Sequence, residues 1–288
     1  MSASVDEDIS GYDKKPSWDV AVRYQDLKRL LSIPSAEKEK LRRRAIIGVL
    51  EKAKKILGSV LKPEKNSIVD LQEFQLNRER GELDIGATLE EALSRGISPF
   101  GKVLIDTQSL RFDARIEKES DVILLMDASL SMNGEKVALL AVAAAVVALC
   151  IDSKRLALIA FSSDAKTIKK FGEEMPVDQI IAKVLEIPTG GLTNLELGLK
   201  HSLKNISESN RDKANVVLIS DGKYTEGRDP TYLAVRFKRL HALKLGRDIA
   251  GRALLFDLIA KGEGRFFEAR RPHDLPRIMY GAMKAMLR

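Results

Sequence analysis

Cysteine is almost missing. Cys150 stands alone among 288 residues, so no disulfide can close within the chain, and a reducing compartment is the expected setting. Aromatic residues are scarce at 5%, which argues against a binder of single-stranded nucleic acid, whose bases need stacking platforms. The three histidines, His201, His241 and His273, lie far apart without ligand spacing, and solvated or capping roles are expected for each. Long apolar runs are absent too. The longest covers residues 137–151, short of the ~20 residues that span a bilayer, and its alanines suit a tightly packed core helix. The opening residues are polar and acidic and show no signal-peptide pattern. No charge sign dominates: 48 basic residues face 41 acidic ones. Most of the charge is therefore mixed surface, and the excess of +7 permits an acidic partner or nucleic acid without requiring either. A soluble, cytoplasmic protein is expected.

The length suits one α/β domain plus a smaller region. Residues 1–16 read as a flexible tail. Residues 17–119 read as a mainly helical N-terminal region with a β-hairpin. Its first helix starts at Trp18 and stops before Pro34, and its second covers about 36–61. Lys38, Lys40, Arg42, Arg43 and Arg44 make the second helix basic. That segment is either a solvated face or a contact for an acidic partner or nucleic acid. Thr88 and Glu91 have the spacing of a capping box, so a short helix is predicted to start at Thr88. Residues 103–116 hold two extended pieces, the candidate hairpin. From Asp121 onward strands and helices alternate. Strands are predicted at 122–126, 155–161, 215–220, 240–245 and 265–269. Helices are predicted at 135–151, 177–186, 194–206, 229–237, 248–261 and 273–287. This alternation implies a doubly wound, mostly parallel sheet covered on both faces, whose ligands bind at the carboxyl ends of the strands.

One such strand end carries chemistry. The apolar run Val122-Ile123-Leu124-Leu125-Met126 is followed by Asp127-Ala128-Ser129-Leu130-Ser131. Three oxygen side chains at alternate positions let one short loop aim hard donors at one point, which suits Mg²⁺ or Mn²⁺ rather than zinc. The plain alternative is an aspartate that caps the next helix and serines that satisfy turn backbone. The loop alone does not choose between them. Two further stretches bear on it: Pro188-Thr189-Gly190-Gly191-Leu192-Thr193-Asn194 and Val216-Val217-Leu218-Ile219-Ser220-Asp221-Gly222.

With these, the chain resembles the von Willebrand factor type A (VWA) family over roughly residues 120–288. The metal-ion-dependent adhesion site of that family runs Asp-x-Ser-x-Ser, then a distant Thr, then a distant Asp at a strand end. The resemblance implies Asp127, Ser129, Ser131, Thr193 and Asp221 as metal ligands. Leu130 stands where the family usually has Gly, and Ser220 where Thr is more common. Residues 81–93, just ahead of this domain, look like the corresponding segment in VWA proteins encoded with MoxR-type AAA+ ATPases and in accessory VWA proteins of carbon monoxide dehydrogenase. The Pro-Thr-Gly-Gly-x-Thr and strand-Asp-x-Ser-x-Ser stretches are also similar to the VWA part of the magnesium-chelatase D subunit, although this chain has no AAA+ module. The resemblance implies a Mg²⁺ site completed by an acidic residue of a protein ligand, and a MoxR-type ATPase or its client as partner. An enzyme is not expected. Gly190-Gly191 lacks the Lys-Ser/Thr of a P-loop. Ser129 occupies the place where a phosphohydrolase would need its second acid, and no Ser-His-acid or Cys-His arrangement stands out. The alternatives are an RNA-binding VWA protein and a Mg²⁺-dependent hydrolase. Against the first, the N-terminal region is too short for a long helical repeat.

Overall fold

The computed structural model describes residues 18–28, 34–60, 67–76, 80–96, 103–115 and 120–286. The expected tail at 1–16 lies outside them. The chain divides into two compact units, Met1–Val60 with Glu119–Arg288, and Leu61–Lys118.

In chain order the larger unit starts with helices α1 (Trp18–Leu27) and α2 (Ser35–Val60). The small unit then holds β1 (Ser67–Asp70), α3 (Leu71–Leu76), β2 (Arg80–Leu83), α4 (Ile85–Ser94) and β3 (Arg111–Arg115). Its three strands form an antiparallel sheet in the order β1-β3-β2, and Phe74 stacks on Phe112 at 4.4 Å between ring centroids. Two expectations are corrected here. Helix α4 starts at Ile85, capped by Asp84, whose Oδ1 accepts from Ala87 N at 2.9 Å. Thr88 is one turn inside, its hydroxyl accepting from Arg111 N at 3.0 Å. And residues 103–115 do not fold into a hairpin: they supply one strand, β3, paired on both sides with earlier strands.

The large unit resumes with β4 (Val122–Asp127), α5 (Glu135–Cys150), β5 (Leu156–Phe161), β6 (Ala165–Lys169), α6 (Val177–Glu186), α7 (Leu195–Ser209) and β7 (Asn215–Ser220). It ends with α8 (Thr231–Ala234), β8 (Arg239–Leu245), α9 (Arg252–Lys261), β9 (Phe266–Ala269) and α10 (Leu275–Met286). The sheet order is β6-β5-β4-β7-β8-β9, parallel throughout except for the antiparallel edge strand β6. Successive side chains of a strand point to opposite faces. Thus Val122, Leu124 and Met126 enter one core, while Ile123 and Leu125 enter the other. Every residue of β4, β5 and β7 is buried, which is why these strands read as unbroken apolar runs. The helix predicted at 229–237 is the single turn α8, and α9 starts later than predicted, after Gly251.

Helices α1 and α2, grouped by sequence with residues 17–119, belong instead to the large unit. The reason lies in α5. From Val137 to Val147 it is buried on every side, so the sheet alone cannot cover it. Ala21, Tyr24, Ala45, Val49, Ala53 and Ile56 form a second layer in the same core. Polar contacts fix that layer: Gln25 Nε2 donates to Leu185 O at 3.0 Å, and the Tyr24 hydroxyl to Glu186. Arg42 pairs with Glu39 and Glu186, and Arg43 with Glu39. Among the described residues no helix is long and apolar enough to cross a membrane.

Candidate metal site

Strands β4 and β7 are parallel neighbours, and the order of strands along the sheet reverses between them. Met126 pairs with Ile219, which sets the next residues, Asp127 and Ser220, side by side at the carboxyl ends. The Ser220 hydroxyl donates to Asp127 Oδ2 at 2.5 Å, and Ser129 N donates to Oδ1 at 2.9 Å. The loop then carries Ser129 Oγ to 3.1 Å from Ser131 Oγ. Asp221, the first residue after β7, accepts at Oδ2 from Lys136 Nζ at 2.8 Å and at Oδ1 from Lys223 N at 3.2 Å. The Ser131 hydroxyl also bonds to it. Asp127, Ser129, Thr193 and Asp221 are all buried.

The Gly-rich stretch reaches the same place by backbone. Gly190 N donates to Ala128 O at 2.9 Å, and Leu130 N to Gly191 O at 3.3 Å. These bonds zip the 188–193 loop onto the Asp127–Ser131 loop. Thr193 N donates to Thr225 Oγ1 at 3.0 Å, and Thr193 O accepts from Thr225 N at 3.0 Å. The second loop is thereby tied to the one that follows Asp221. Asp127, Ser129, Ser131 and Asp221 thus share one hydrogen-bonded network, and Thr193 joins it through the backbone of its loop. The capping alternative fails for Asp127. Helix α5 starts at Glu135, its N-cap is Gly134, and that cap has no side-chain bond. The turn alternative holds in part, since Asp127 does accept from Ser129 N.

Burial drives the electrostatics. It pushes the Asp127 carboxyl up to about 6, against hydrogen bonds from Ser129 and Ser220, and the nearby Asp221 charge adds to the rise. Burial works on Asp221 in the same sense, but the Lys136 ammonium and the Ser131 hydroxyl hold its carboxyl below the ordinary range. Asp221 thus has an ammonium partner, whereas Asp127 is held by hydroxyl and amide donors, and the two buried carboxylates leave a deficit of positive charge that a hard cation would offset. Among the described residues no three His, Cys, Asp or Glu side chains gather as a metal site. The side-chain oxygens gathered here are two carboxylates and the Ser129 and Ser131 hydroxyls, with Thr193 on the adjoining loop, and oxygen donors of this kind suit a hard cation such as Mg²⁺ or Mn²⁺.

Sequence reasoning missed Lys136. The available signal was a cation in the first turn of a helix, where the macrodipole disfavours it. It also misjudged His241, expected to be solvated or capping. That residue is buried in β8, its Nδ1 accepts from Arg265 N at 3.0 Å, and burial, with Arg239 and Arg265 nearby, lowers its pKa to about 4. His201 Nε2 lies 2.8 Å from Thr167 Oγ1.

A family model described as "VWA domain containing CoxE-like protein" matches residues 57–246. No curated relative matches. Among solved structures, proximal thread matrix protein 1 from the mussel byssus is 20% identical, with a TM-score of 0.50 over 58% of this chain and 48% of that one. This chain therefore spans about half the length of the mussel protein, and the likeness is one of fold. A conserved hypothetical protein, BatB from Bacteroides thetaiotaomicron, is 14% identical over 58% of this chain and 98% of its own, with a TM-score of 0.45. A von Willebrand factor type A structure from Catenulispora acidiphila is 16% identical over 62% of this chain and 44% of its own, with a TM-score of 0.45.

Proposed function

This chain belongs to the family of VWA domain containing CoxE-like proteins, and on that premise we propose that it is a cytoplasmic adaptor that captures a partner carboxylate at a divalent-metal site. Asp127, Ser129, Ser131, Thr193 and Asp221 would hold the ion. The observation that carries this reading is the mutual locking of three loops at the ends of β4 and β7, which converges two buried carboxylates and two hydroxyls. When bound, the ion supplies an electron-poor contact point for an anionic oxygen. Asp127 and Asp221 provide charge, and the hydroxyls provide neutral oxygens. Donor hardness favours Mg²⁺, with Mn²⁺ as the other candidate.

The surface around the site supports capture of a protein. Leu130, Leu192 and Tyr224 are exposed at 61%, 52% and 41%, one on each of the three loops. Leu130 lies between two candidate ligands, and Leu192 directly precedes a third. Apolar side chains beside a single charged contact give an interface both burial and register. The basic segment of α2 has a plainer role, since Arg42 and Arg43 are engaged by glutamates. That weakens the nucleic-acid alternative. A MoxR-type AAA+ ATPase, or the client it remodels, is the partner that the family suggests, and the adaptor itself would not be an enzyme.

The test is a pull-down from native lysate with the parent and with Asp127→Ala, each in Mg²⁺ and in chelator, read by mass spectrometry. Retention of an AAA+ ATPase or its client by the parent alone, and with Mg²⁺ alone, is the expected result. Retention indifferent to both metal and mutation would end this reading.

A further inference from the structure

Lys136 belongs to α5, yet its ammonium stands among the candidate ligands. Nζ lies 2.8 Å from Asp221 Oδ2 and 3.0 Å from Ser131 O. It thereby bridges the Asp127–Ser131 loop and the end of β7, the two segments that carry four of the five candidate ligands. Its position in the first turn of a helix with no side-chain cap is unfavourable for a cation, so the contact with Asp221 must repay it. The two partners differ in exposure. The Asp221 side chain is 0% exposed, whereas that of Lys136 is 27% exposed. Asp221 cannot leave, while the ammonium has a path to water.

Charge counting gives the consequence. Two carboxylates and one ammonium leave the cluster with one net negative charge. A divalent ion turns this into one positive charge in excess, which a single carboxylate from outside neutralises. Without Lys136 the loaded cluster would already be neutral and would hold no net attraction for an anion.

We propose that Lys136 is a resident counter-ion of Asp221 that competes with the divalent metal and reserves the loaded site for an anionic ligand; this rests on the metal-site reading above. Lys136 weakens metal binding while the site stands alone, and an arriving carboxylate offsets that penalty. Metal and partner then strengthen each other's binding.

The experiment is calorimetric titration of Mg²⁺ into the folded parent, Lys136→Met, Lys136→Gln and Lys136→Arg, with thermal melts in Mg²⁺ and in chelator. Lys136→Met and Lys136→Gln should bind Mg²⁺ at least tenfold more tightly than the parent, about 1.4 kcal/mol. Lys136→Arg, which keeps the charge, should stay within about threefold of the parent by the same conversion. In chelator the two neutral variants should melt below the parent, because Asp221 has lost its partner. Mg²⁺ should raise their melting temperatures by more than it raises the parent's. A lysine that merely holds the loop in shape predicts the opposite, lower stability in both conditions with unchanged or weaker Mg²⁺ affinity, and that result overturns the proposal. Mg²⁺ binding absent from both the parent and the neutral variants overturns the metal-site reading itself.

Discussion

Gly251→Ala tests whether the scaffold behind Asp221 is as tight as its geometry implies. Gly251 has φ +76°, and a Cβ built on it would lie 1.7 Å from Gly222 O and 2.1 Å from Gly222 C. Gly222, at φ +85°, would meet Gly251 O at 3.1 Å with a Cβ of its own. The two glycines therefore pack backbone on backbone, one at the head of α9 and one directly after Asp221. Real Cβ contacts essentially never fall below 3.0 Å, so alanine must part the two segments by about 1.3 Å (3.0 less 1.7). Overpacking costs ~1–3 kcal/mol and left-handed backbone at a residue with a Cβ ~1–2 kcal/mol. The sum is roughly 2–5 kcal/mol, a fall in Tm of about 5–15 °C for a unit of this size. The shift would not stay local. Gly222 N donates to Ser220 Oγ at 2.9 Å, and that hydroxyl holds Asp127. Mg²⁺ affinity should therefore fall together with Tm. Gly172→Ala is the control, with φ +79° and nothing within 4 Å of its built Cβ, so it carries the backbone cost alone. Thermal melts and Mg²⁺ titration of both variants decide the matter. Equal losses of stability would refute the close-packing argument. Gly251→Ala with lower Tm but parental Mg²⁺ affinity would refute the coupling to the site.

Two further outcomes are expected. His241 takes a proton at about 6.5 when unfolded but only at about 4 when folded, chiefly because it is buried. Between those values the unfolded chain binds more protons, so the contribution is intact above pH 6.5 and is lost as pH falls toward 4, roughly 3 kcal/mol in all. Urea unfolding at pH 7, 5 and 4 should show this fall in the parent and a flatter profile in His241→Asn, which keeps an acceptor for Arg265 N; parallel profiles would remove His241 as the cause. Thr193→Ala should weaken Mg²⁺ binding several-fold yet leave Tm in chelator near the parent's, because the bonds that lock its loop are made by backbone atoms. Undiminished Mg²⁺ affinity would strike Thr193 from the ligand set.

What could be read in the sequence follows from how each element is stabilised. Strands β4 and β7 are buried on both faces, so their apolar runs are continuous and end sharply at Asp127 and Ser220. Helix α6 keeps one apolar face of Ile180, Ile181, Val184 and Leu185, and its range was legible to the residue. Strand β6 was missed because Ala165-Lys166-Thr167-Ile168-Lys169 has no apolar rhythm. It is an edge strand, and Lys169 Nζ closes it by donating to Leu156 O at 2.7 Å and to Lys170 O at 3.2 Å. A buried lysine held by carbonyls looks in sequence like a solvated one. His241 hid in the same way, since a residue of a strand covered on both sides is buried whichever face it takes. The place of α1 and α2 was hidden for a different reason. Their apolar faces were visible, but not which surface they would cover, and that surface is the outer side of α5, whose alanines and valines look complete in themselves. The candidate site divides along the same line. Asp127, Ser129 and Ser131 could be singled out because a strand end and alternate spacing set oxygen side chains together, while Thr193 and Asp221 entered the candidate set through the family resemblance. Lys136 could not, because its meaning lies in a bond to a residue 85 positions away. Donors fixed by a loop are local and legible. The charge that tunes them comes from across the fold and appears only when the sheet has brought β4 and β7 together.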